Sequence, residues 1–150
     1  MSIYKRILAV IDLTEDSLEV ARRAMSIAQS CGSAELEFLH VVEYVPVEPL
    51  SDSLMPAVQI ESELIERARR KVDELTARLG IPGAPRSVEA GNVKTEIVRV
   101  ARERGADLIV LGSRERHGLS ILVNLTEDTV LHAAPCDVLA VRLLPTKSSA

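Results

Sequence analysis

The chain has 150 residues, of which 47% are hydrophobic and 27% charged, and a net charge of −4. That length and balance fit one soluble globular domain with a sizeable core. Aromatic residues make up only 2% and no basic tract occurs, which excludes a base-stacking platform and argues against nucleic acid as a partner.

Tyr4 to Ile11 reads as the first strand, with Ile7-Leu-Ala-Val-Ile11 as its apolar centre and Asp12 at its end. Asp12 also stops the apolar run after Lys5-Arg6 too soon for a signal peptide or a membrane span. The expected compartment is therefore the cytoplasm, with no membrane partner. Thr14 or Asp16 is expected to cap the helix after this strand, and Asp16 with Glu19 has capping-box spacing. Leu18, Ala21, Ala24, Met25 and Ala28 hold a helical period up to Gly32. Leu36 to Val42 reads as the second strand.

From Tyr44 to Pro56, three prolines (Pro46, Pro49, Pro56) are expected to break any regular element and leave a partly apolar loop. A long helix is expected from about Ala57 to Leu79, stopped by Gly80 and Pro82. Arg86 to Ala90 reads as a short third strand. Gly91-Asn92 turns into a helix from about Lys94 to Arg104, and Gly105 ends it. Leu108 to Leu111 reads as a strand covered on both faces and ended by Gly112-Ser113. A polar loop runs through His117 and Gly118, a helix starts near Ser120, and Val138 to Val141 forms the last strand. Residues 1–144 make one domain, and 145–150 a disordered tail.

Strict alternation of strands and helices predicts an α/β fold in three layers: a five-stranded, mostly parallel sheet with helices on both faces. In such sheets ligands bind at the carboxyl ends of the strands, near a topological switch point. Asp12, the Val41/Val42 region and Gly112-Ser113 all fall at that edge.

No G-x-x-x-x-G-K-[ST] loop occurs, and no G-x-G-x-x-G comes after the first strand. Asp12 has two readings: a carboxylate for a ribose hydroxyl or a water-bridged Mg²⁺, or a hydrogen-bond acceptor at the start of the first helix. His117 with Arg114 and Arg116 forms a cationic group in the glycine loop, suited to phosphate oxygens or simply to solvent. His40 reads as a packed or hydrogen-bonded histidine, and His132 as a complement to a helix dipole. Ser113 lacks the G-x-S-x-G elbow. No catalytic residue and no metal site is assigned. Cys31 and Cys136 are expected to be reduced, mostly buried thiols.

Several stretches together resemble the universal stress protein family. They are the first strand ending in Asp12, Leu39-His-Val-Val42, Gly91 before a helix, Gly105-Ala-Asp-Leu-Ile-Val-Leu-Gly-Ser113, and Ala134-Pro-Cys-Asp-Val-Leu-Ala-Val141. The resemblance implies an adenine nucleotide alpha hydrolase-like fold. ATP-binding members carry G-x2-G-x9-G-[ST] after the fourth strand, where amides and a hydroxyl hold phosphates. Gly112 matches the first glycine, but Glu115 stands at the second. Counting forward puts Leu125-Thr126 at the last pair, and counting back from Pro135-Cys136 puts Asn124-Leu125 there.

The positions the resemblance implies for a vestigial ATP site are Asp12, Val41, Gly112, Ser113, Gly118 and Thr126. With the motif so reduced, the resemblance implies a dimeric, non-catalytic stress-response protein with weak or absent ATP binding and no firmly held cofactor. The alternative keeps ATP with Mg²⁺ and makes the protein a nucleotide-dependent switch with slow hydrolysis. Family members commonly pair their last strand across a two-fold axis, which implies a homodimer through Val138–Leu144.

Overall fold

A computed structural model describes residues 3–43, 54–114 and 126–143. The elements are β1 (Arg6–Val10), α1 (Ser17–Ser30), β2 (Glu35–Glu43), α2 (Leu54–Arg78), β3 (Arg86–Gly91), α3 (Val93–Arg104), β4 (Leu108–Arg114), α4 (Thr126–Ala133) and β5 (Asp137–Leu143). The five strands are ordered β3-β2-β1-β4-β5, and each of the four pairings is parallel.

Apolar runs in the central strands reflect cover on both sheet faces. Ile7 and Ala9 of β1 join Phe38, Val110 and Val141 under α1 and α2, against Val20, Ala24, Val72 and Leu75. Leu8, between them, turns the other way and joins Leu39 and Ile109 under α3 and α4, against Ile97, Val100 and Val130. The alternating side chains of one strand thus feed two separate cores. No helix among the described residues is long and apolar enough to cross a membrane.

Local chemistry sets the element boundaries, and several differ from the sequence expectation. Asp16 occupies the N-cap of α1 but makes no side-chain capping bond; the first helical amides, of Ser17, Leu18 and Glu19, go to the main-chain carbonyls of Thr14, Glu15 and Asp16. Helix α2 already begins at Leu54. Pro56 therefore sits in its first turn, where the backbone N–H it lacks would have had no helical acceptor. Asn92 caps α3 through an Oδ1 that accepts from the Thr95 amide at 3.0 Å, and Gly105 closes it in a left-handed conformation, φ 65°. Strand β4 does not stop at Gly112-Ser113. It continues to Arg114, with Gly112 opposite Val141 and Arg114 opposite Leu143. The loop through Gly118, the expected helix start near Ser120 and the 145–150 tail lie outside the described residues. So does most of the expected proline-rich loop.

One tie at the amino-terminal edge holds β1 beside β4. The Asp107 carboxylate accepts from the Lys5 amide at 2.8 Å and from the Arg6 amide at 3.0 Å. Two main-chain donors at the start of the central strand are thereby satisfied by a side chain that precedes the next one.

Candidate functional site

Register carries the candidate residues to a single edge. Val10 of β1 lies opposite Leu39, and Ala9 lies opposite Val110. The Ile11 amide goes on to bond the Leu39 carbonyl at 2.9 Å. Carried on past Val10, these registers put Asp12 level with Val41 on one side and Ser113 on the other. Strand order reverses there: β2 flanks β1 on one side and β4 on the other, the position where open α/β sheets form a crevice.

Asp12 is exposed at the mouth, and its Oδ1 is engaged by the chain itself. It accepts from the Thr14 amide at 3.0 Å, from Thr14 Oγ1 at 2.7 Å and from Ser17 Oγ at 2.9 Å. Ser17 is only 2% exposed, so its hydroxyl depends on this acceptor. Leu13 supports the turn with a left-handed φ of 64°, a conformation costing an L residue roughly 1–2 kcal/mol. Asp12 thus organises the entry into α1, in agreement with the second of its two sequence readings.

Val41 sits in the α3-side core, 7% exposed. Its side chain packs inward, so at this site it offers main chain. Gly112 is also accounted for by packing. A Cβ built on it would stand 2.7 Å from Leu143 Cδ1 and 3.1 Å from Val20 Cγ2, distances a side chain cannot hold without displacing both neighbours. Ser113 is half-buried in β4, one residue on. Thr126 opens α4. Gly118, Glu115 and His117 lie outside the described residues.

His40 belongs to this edge too. Its Nδ1 lies 2.7 Å from the Ile11 carbonyl. Since a carbonyl only accepts, Nδ1 carries the proton and donates, which fixes the neutral ring with Nε2 as the bare nitrogen. Burial holds the imidazole below its ordinary pKa, and Lys71 adds to that; the Ile11 carbonyl and Asp12 pull the other way. The sequence marks His40 as a hydrogen-bonded histidine, and that is what it is. Beside the Asp12 turn a cavity of about 230 Å³ opens between α1 and α2, with Thr14 and Ser17 on one wall and Lys71, Glu74 and Arg78 on the other.

Among the described residues there is no group of three or more His, Cys, Asp or Glu arranged to hold a metal ion. Cys31 and Cys136 are free and half-buried rather than fully buried. Burial, with Asp137 and Asp107 nearby, pushes the Cys136 thiol up and keeps it protonated. At the far side of the sheet the Tyr4 hydroxyl donates to Asp137 Oδ2 at 2.9 Å, and that bond raises the phenol.

Strand β5 is the outermost strand beside β4. Val141 and Leu143 are buried in the α1-side core. Among the described residues no strand pairs with its outer edge, and Leu139 is 36% exposed, with Leu131 of α4 at 55%. Leu144 lies outside the described residues.

A family model described as the universal stress protein family matches residues 3–142. Universal stress protein A homolog 1 of Coxiella burnetii is 37% identical over 139 residues, covering 92% of this chain and 96% of that one. Among solved structures, the universal stress protein UspA from Lactobacillus plantarum superposes with a TM-score of 0.68 at 26% identity, over 93% of this chain and 98% of its own. A universal stress protein in complex with cAMP shares the fold with a TM-score of 0.59 at 22% identity, over 94% of this chain and 98% of its own.

Proposed function

The chain belongs to the universal stress protein family, and from that membership we propose that it acts by association, as a cytoplasmic homodimer without catalytic chemistry of its own. Nucleotide binding at the Asp12–Ser113 edge is weak or absent. The observation that supports this most is the occupation of the two best-matched positions by the fold itself. Asp12 Oδ1 takes three hydrogen bonds from Thr14 and Ser17, and Gly112 is held small by Leu143 and Val20. The turn into α1 accounts for Asp12 and the packing of β5 and α1 for Gly112, and Glu115 would set a negative charge where the family motif brings backbone to phosphate.

The second reading, a nucleotide-dependent switch, draws on the alignment of Asp12, Val41 and Ser113 at one level of the sheet. In that reading ATP would meet the Asp12 carboxylate with its ribose or through Mg²⁺, with Ser113, Gly118 and Thr126 near the phosphates. Titration calorimetry with ATP and Mg²⁺, and separately with cAMP because a relative of the same fold carries it, discriminates the two. The association reading expects no saturable heat at micromolar nucleotide. A micromolar dissociation constant for either ligand would overturn it in favour of the switch.

A further inference from the structure

Helix α2 is longer than the sheet it packs on. Its 25 residues span roughly 37 Å, whereas the nine residues of β2, the longest strand beneath it, span roughly 30 Å. Burial follows that difference. Ala68, Val72, Leu75 and Thr76, all in the second half of the helix, are 8% exposed or less and seat it on the sheet. Ahead of Ala68 the apolar row continues at intervals of four through Leu64 and Ile60, yet these two are 37% and 54% exposed. Among the described residues no other helix carries two exposed large apolar side chains.

Charge is divided along the same helix. Glu61, Glu63 and Glu66 come first, and Arg67, Arg69, Arg70 and Lys71 follow. Glu63 with Arg67, and Glu66 with Arg70, have the spacing of pairs within a helix. Neither pair forms among the described residues, unlike Glu19 with Arg23 on α1. The uncovered apolar residues lie in the acidic stretch, so what covers them must bring apolar and basic groups together. The long stems and cationic heads of the basic stretch supply both.

We propose that α2 binds the α2 of a second copy of this chain, antiparallel about a two-fold axis midway between residues 64 and 67. At that register Leu64 meets its own counterpart. Glu63 stands level with Arg67 and Arg70 of the second copy, and Ile60 lies on the aliphatic stem of its Lys71. Ile60, Glu63, Leu64, Arg67 and Lys71 share one side of the helix by their spacing. The two-fold makes each contact twice and sets the acidic stretch of each helix against the basic stretch of the other. One helix pair buries little area, so the association is weak, as in transient interfaces. It uses neither β5 nor the Asp12 edge and stands whichever way those are read.

The test follows amide chemical shifts of the full-length protein as its concentration is raised towards millimolar, in the wild type and in Leu139→Asp, which charges β5. Saturable shifts along residues 60–71 are expected in both. Leu64→Asp should weaken the association roughly tenfold or more. Glu63→Arg and Arg67→Glu should each do the same, because each sets like charges together twice. An equimolar mixture of those two variants should associate again, since the 63–67 pairs across the axis are then opposite in sign. Amide spectra at low concentration report whether each variant is folded. Three results would each overturn the proposal: no concentration-dependent shifts on α2, association that survives Leu64→Asp in a folded variant, or a mixture that associates no better than its components.

Discussion

Gly112 and Leu143 occupy one space: a Cβ on the glycine would lie 2.7 Å from Leu143 Cδ1. Gly112→Ala should therefore destabilise the fold by about 1–3 kcal/mol through overpacking, measured by urea unfolding. Shortening the neighbour tests the cause. In Gly112→Ala with Leu143→Ala, the combined loss should be smaller than the sum of the single losses, because each change removes the other's conflict. Strict additivity would show that Gly112 is kept small for some other reason, contact with a ligand among them.

At the mouth of the crevice, Asp12→Asn and Asp12→Ala should part company. Asparagine retains an oxygen for the Thr14 amide, Thr14 Oγ1 and Ser17 Oγ, and should cost little. Alanine removes the acceptor under a buried serine, and about 1–2 kcal/mol should be lost. Thermal unfolding of the two variants without nucleotide reads this directly. If both lost stability equally, the negative charge of Asp12 would matter more than its hydrogen-bonding oxygen.

His40 links the same edge to pH. Burial depresses its pKa in the folded chain, so the unfolded chain binds the proton more readily, with an ordinary value of about 6.5. Its contribution to stability is complete above that value and falls as the pH drops through it towards the folded-state midpoint. The groups facing it are Asp12 and Lys71, with the Ile11 carbonyl as its acceptor. A proton NMR titration of the imidazole should place its midpoint below about 6.5. His40→Asn, which can still donate to Ile11, should flatten the slope of stability against pH in this window. A midpoint at or above the ordinary value would refute the depression.

Element order was legible because β1 and β4 carry unbroken apolar runs and the helices carry a clean period, signals that stay within a few residues of chain. Asp12 was ambiguous because its partners Thr14 and Ser17 identify it only once the turn at Leu13 closes. Gly112 looks like a strand end in the sequence for a different reason. Its neighbours Leu143 and Val20 come from β5 and α1, and no local pattern shows which side chain a parallel register will place against it. Asp107, which holds the Lys5 and Arg6 amides, sits in the very stretch that carries the family resemblance. Its role appears only when β1 lies alongside β4.

Association through β5 makes the remaining prediction. Its outer edge has no neighbouring strand in the described sheet, and Leu139 is the large apolar side chain it leaves exposed. Because Val141 and Leu143 are committed to the core, a charge at Leu139 should act on assembly and spare the fold. Leu139→Asp places like charges near each other across a two-fold axis, where the same patch meets itself. Sedimentation velocity should show a dimer for the wild type and a shift towards monomer for Leu139→Asp, with unfolding of the monomer changed by no more than about 0.5 kcal/mol, as for an ordinary surface substitution. A wild type that is monomeric at high micromolar concentration would remove the basis for a β5 dimer. A dimer untouched by Leu139→Asp would move the interface elsewhere, with the exposed Leu131 on α4 as the next residue to change.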